Sequence, residues 1–123
     1  MSEFQETFSA YGGDYMATMS RFMGNEAMYL RLLDMLFEDK SLQQLGEALE
    51  AQDLKRAFEA AHTLKGVAGN MGLKPLYEAV CIIVEPLRAG QQREDYPVLY
   101  EAIQAEFQRV EGLREQLNGG GES

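Results

Sequence analysis

Apolar residues recur along the chain three to four positions apart, and no stretch keeps the strict alternation of a half-buried strand. The pattern predicts an all-α protein. Phe4, Phe8 and Tyr11 mark a short first helix that Gly12 and Gly13 end. Asp14 caps a second, in which Met16, Met19 and Met23 share a face expected to pack in the core before Gly24 closes it. Asn25 opens a third, with a stripe of Met28, Leu32, Met35 and Leu36 widened by Leu30, Leu33 and Phe37. The polar run from Glu38 to Ser41 predicts a break near residue 39, and Ser41 with Gln44 offers a capping box for a fresh start through Leu42, Leu45 and Leu49.

Asp53 caps the next helix, which runs to about Met71 with Leu54, Phe58, Ala61, Leu64 and Ala68 facing inward, and Gly72 ends it. Pro75 suits a first helical turn, after which Leu76, Val80, Ile83 and Leu87 carry the pattern to Gly90. Pro86 lacks an N–H and crowds the Ile82 carbonyl, so a kink is expected in that last turn. Asp95 and Pro97 open a long final helix through Leu99, Ile103, Phe107, Val110, Leu113 and Leu117, which Asn118 and the glycines after it should stop. Short connections between long helices favour antiparallel neighbours. The expected fold is an up-and-down antiparallel four-helix bundle with short N-terminal helices packed across one end. Residues 1–13 form the N-terminal helix or cap, 14–118 the bundle and 119–123 a flexible tail.

A chain of 123 residues suits one domain, and 46% hydrophobic with 25% charged residues is too apolar for wholesale disorder. The net charge of −9 speaks against nucleic acid and against a polybasic membrane anchor. The longest apolar run, Ala79 to Val84, is far short of the ~18 residues of a membrane span, and the N-terminus has no basic region followed by an apolar stretch. A cytoplasmic, monomeric protein is expected. One cysteine cannot form an internal disulfide, and with one histidine it cannot complete a usual zinc site.

Any imidazole chemistry must therefore run through His62. On a helical wheel His62 falls about 120° from the centre of its helix's inward face, which predicts exposure. Gly66 and Gly69 lie on the same side, one and two turns further on, although each glycine costs a helix roughly 1 kcal/mol relative to alanine. Two readings stay open for the pair: close approach of an external partner, or packing of a neighbouring helix. Lys65 can swing its stem up beside the imidazole, or simply reach for water. Residues 53–74 carry Lys55, Arg56, Lys65 and Lys74 against Asp53 and Glu59, a locally basic segment on an acidic chain. A neutral imidazole is a nucleophile, and a nearby ammonium offsets the charge of a transferring phosphoryl group.

The segment His62, Thr63, Leu64, Lys65, Gly66, with Ala61 before it and Gly72 ten residues after the histidine, resembles the motif of histidine-containing phosphotransfer (HPt) domains. The similarity extends from about Tyr11 to Leu117. It implies a free-standing phosphorelay protein whose His62 is phosphorylated on Nε2 and exchanges the group with aspartates of response-regulator receiver domains, or with a hybrid histidine kinase. Mg²⁺ would be held by the receiver and no cofactor by this chain. Lys65 would stabilise charge, and Phe58, Gly66 and Gly69 would form the docking face. Two positions depart from the family's pattern: Val67, where many members carry a small polar residue, and Pro86.

Autonomous kinase or ATPase activity is not expected, because GxxxxGK[ST] is absent and Gly66, Gly69 and Gly72 follow a helix rather than a strand. No GxSxG elbow accompanies the histidine. The competing readings are a phosphate-independent helical adaptor or scaffold, and a phosphoacceptor domain derived from a chemotaxis-type kinase. Met1 and the glycine-rich end favour a free-standing protein over the last of these.

Overall fold

The computed structural model describes residues 2–119. Its elements are α1 (Glu3–Tyr11), α2 (Tyr15–Arg21), α3 (Glu26–Glu38), α4 (Ser41–Glu50), α5 (Leu54–Asn70), α6 (Lys74–Arg88) and α7 (Tyr96–Gly119), with no strand among the described residues. The caps follow the local chemistry. Asp14, Asn25 and Asp53 each accept from a backbone N–H three residues on, and Ser2 does the same at α1. Gly12, Gly24, Gly72 and Gly90 take left-handed backbone conformations at the ends of helices or just beyond them.

The break near residue 39 is present, but its cap differs from the expected box. Ser41 is already helical and buried, and Asp39 accepts from its N–H at 2.7 Å. Asp39 is extended, so its carboxylate reaches forward and does the work assigned to Ser41.

Four antiparallel columns result. α4, α5, α6 and α7 close a ring in which each packs on the next and α7 returns to α4. α3 prolongs α4 into one column: Asp34 lies 3.6 Å from Arg114, Phe37 stacks edge-on with Phe107, and Leu42 accepts from Tyr100 at 3.0 Å. As residue numbers rise on the first column they fall on α7, which fixes the antiparallel sense. Tyr29 on α3 donates to the Met71 carbonyl at the end of α5, at 2.7 Å, with the same sense.

The short N-terminal helices lie at the end of the bundle that holds the α5–α6 turn. Arg21 of α2 donates to the carbonyls of Gly69 and Asn70, each at 3.2 Å, and Arg109 of α7 donates to the Tyr11 carbonyl at 3.2 Å. Phe8 and Tyr11 join the main core, so α1 shares one hydrophobic interior with the bundle. Around Tyr29, Phe4, Phe8 and Phe22 pack edge-to-face, at centroid distances of 5.2 to 6.2 Å.

The methionine stripes need correction. Met19 is buried, but Met16 and Met23 are 72% and 91% exposed. α2 ends at Arg21, so Met23 sits in the turn with φ of 53° rather than on the helical face. Met35 is also exposed, because α3 turns Tyr29, Leu33 and Leu36 to the core and leaves Met35 outside. α6 runs through Pro86 to Arg88 with Pro86 buried. The last helix passes Asn118 and is described as far as Gly119; from residue 120 the tail expected over 119–123 lies outside the described residues.

Candidate functional site

α5 carries the site, and its alanines explain how. Ala57, Ala60, Ala61 and Ala68 are buried with Leu64, a face of small side chains that lets α4 and α6 pack close on either side. Helical geometry then turns the other face outward. His62 is exposed near the middle of α5, as its angular position predicts.

One turn before it, the half-buried Phe58 ring lies 5.5 Å from the imidazole, tilted by 43°. The guanidinium of Arg88 on α6 covers the same phenyl ring at 5.1 Å and holds the Glu85 carboxylate at 3.2 Å. Phe58 is thus a spacer between a cation and the histidine, held by both helices. The Thr63 hydroxyl turns back to the Glu59 carbonyl at 3.0 Å and leaves the imidazole's surroundings to other groups.

Lys65 is half-buried on the next turn, and among the described residues no carboxylate forms an ion pair with it. Its ammonium is available to an incoming anion. Among the described residues no group of three or more His, Cys, Asp or Glu side chains is placed to hold a metal ion.

The two glycines separate. An added Cβ at Gly66 would meet nothing within 4 Å, so the surface beside His62 is open. At Gly69 it would come within 3.1 Å of the Tyr77 ring. Of the two readings open for the pair, the close approach seen at Gly69 is that of a neighbouring helix, where Tyr77 of α6 packs against α5. Gly72 is a third case: it has φ of +67°, and its missing side chain leaves room for Thr18 of α2.

Nothing local in the sequence marks Tyr77 and Arg88. They stand eleven residues apart, about 20° from eclipsed on a helix, so they share a face of α6. That periodicity was available, but nothing local says which helix the face meets.

A family model of the Hpt domain matches residues 28–113, from early α3 to late α7, and leaves α1 and α2 outside. No curated protein and no solved structure matches the chain. The match spans most of the chain and encloses His62, Lys65 and Gly66 on an exposed helical face of an all-helical bundle, and the chain belongs to the Hpt domain family.

Proposed function

We propose that His62 is the phosphoryl carrier of a phosphorelay, exchanging the group with an aspartate of a receiver domain. Family membership supports a histidine phosphotransfer role in a phosphorelay. The single observation that carries the assignment to this residue is the exposure of the chain's sole histidine beside an open glycine surface.

In the transfer, the free lone pair of His62 Nε2 attacks phosphorus in line, the N–P bond forms, and the bond from phosphorus to the aspartate oxygen breaks. The carboxylate leaves with the electron pair, the proton on Nδ1 stays, and the ring carries positive charge against the phosphoryl oxygens. Lys65 offsets further negative charge, while Mg²⁺ belongs to the receiver. Phe58 and Gly66 form the contact surface on either side of the imidazole, and Arg88 steadies Phe58 from α6. The protein works in this reading as a cytoplasmic monomer without kinase activity of its own. No helix among the described residues is long and apolar enough to cross a membrane.

The test is incubation with a phosphorylated receiver. An acid-labile, base-stable phosphate should appear on the wild-type chain and vanish in His62→Gln, with circular dichroism unchanged because an exposed side chain contributes little to folding. Labelling that persists in the variant would move the chemistry to another residue.

A further inference from the structure

A feature that phosphotransfer through His62 leaves unexplained lies across the bundle from it. In the ring α4–α5–α6–α7 the histidine, Phe58 and Arg88 occupy the α5–α6 side, and the opposite side is the furrow between α4 and α7. There the structure has an open cleft of about 1190 Å³ that includes none of these residues.

The floor of the cleft is apolar: Leu42 and Leu49 of α4, Leu54 at the start of α5, and Tyr96, Pro97 and Tyr100 of α7. Gly46 makes the floor possible, because a side chain there would come within 2.5 Å of the Tyr100 hydroxyl. With Gly46 bare, Tyr100 lies across α4 and donates to the Leu42 carbonyl at 3.0 Å.

The rim is acidic. Glu47, Glu50, Glu94 and Glu101 line it against one cation, Arg93, and Arg93 is already held by both oxygens of Asp95, at 2.9 and 2.5 Å. The carboxylates act on the floor: the Tyr100 phenol is held above its ordinary pKa by burial, then by Glu50 and Glu47. The cleft follows each helix for about two turns, roughly 12 Å, an elongated furrow that suits another helix better than a compact small molecule.

We infer that the α4–α7 cleft is a second docking surface, and that its occupant is an amphipathic helix of a partner protein with apolar side chains flanked by lysine or arginine. The charge complementarity selects this occupant: four carboxylates around an apolar floor repel an acidic segment and repel a second copy of this −9 chain. Because the cleft is opposite His62, such a partner and a receiver can be held at once.

The probe is a fluorescein-labelled helical peptide of leucine and lysine in amphipathic register, titrated into the full chain by anisotropy, with a leucine–glutamate peptide as its counterpart. The lysine peptide should bind and weaken with added salt, and its backbone amide NMR shifts should fall on α4 and the start of α7. Glu50→Gln with Glu101→Gln should weaken it by about tenfold, whereas Glu3→Gln with Glu6→Gln, which removes equal charge elsewhere, should change it little. Phosphotransfer through His62 should be untouched by either pair. Equal losses from both pairs would reduce the effect to net charge and overturn the inference, as would equal binding of the glutamate peptide, shifts centred on α5 and α6, or no binding. A doubled mass in sedimentation, with no peptide binding and with dilution-dependent amide shifts on α4 and the start of α7, would assign the cleft to self-association instead.

Discussion

The Cβ that Gly69 lacks would lie 3.1 Å from the Tyr77 ring, so α5 and α6 meet in the space that this glycine leaves, whereas the same atom at Gly66 would touch nothing. Two glycines three residues apart on one helix therefore have different surroundings, a neighbouring ring at one and open space at the other.

Substitution separates them. Gly66→Ala should hold or raise stability by up to about 1 kcal/mol, since the site is open and the helix gains propensity. Gly66→Gln should fold as well, yet both should slow phosphotransfer steeply, because a receiver must bring phosphorus within about 3 to 3.5 Å of the imidazole nitrogen. Gly69→Ala should gain less stability than Gly66→Ala, because Tyr77 must move. Thermal unfolding and transfer rates measured together decide the matter: normal transfer in Gly66→Gln would remove the docking role from this face.

Lys65→Ala should slow transfer within the receiver complex by about tenfold, equivalent to about 1.4 kcal/mol of barrier, with a smaller loss of affinity. Rapid-mixing experiments at saturating receiver isolate that step. If binding weakens while the bound-state rate is unchanged, Lys65 acts in docking and not on the phosphoryl group.

Gly72 pairs a left-handed backbone with the Thr18 side chain, so Gly72→Ala incurs both a conformational and a packing penalty. The expected loss is about 2 to 4 kcal/mol by urea unfolding. In a Thr18→Ala background the loss should shrink, since part of it is the clash. An equal loss in both backgrounds would assign the whole effect to the backbone.

Alkaline pH should expose the tyrosine cluster. Burial pushes Tyr11 up to about 12, and burial with the neighbouring Tyr11 raises Tyr29 as well. The unfolded chain gives up these protons near pH ~10, before the folded one, so stability is intact below that pH and falls as the pH rises above it. Unfolding free energies followed from neutral to alkaline pH should bend downward there, and Tyr29→Phe should flatten the slope. Tyr29→Phe also leaves the Met71 carbonyl without its donor, at about 1 kcal/mol, whereas Tyr11→Phe should be neutral or better. The Tyr11 hydroxyl is buried near the Leu76 backbone without a partner in hydrogen-bonding geometry. A slope unchanged in Tyr29→Phe would place the titrating group elsewhere.

Local order on this chain was legible because local chemistry produces it. Asp14, Asn25 and Asp53 cap the helices they precede, Gly12 and Gly72 lie just beyond helix ends, and the wheel that turns Leu64 and Ala68 inward turns His62 out. These are interactions within a few residues, and a one-dimensional pattern contains them. Met16 and Met35 share the helical spacing of true core residues and still face water, because amphipathic spacing defines a face without saying how many neighbours will cover it. The meeting of Gly69 with Tyr77, of Phe58 with Arg88 and of Gly46 with Tyr100 depends on the register and rotation of one helix against another. That register is set by the sum of all core contacts at once, so only the folded bundle decides which glycine faces open space and which admits a neighbouring helix.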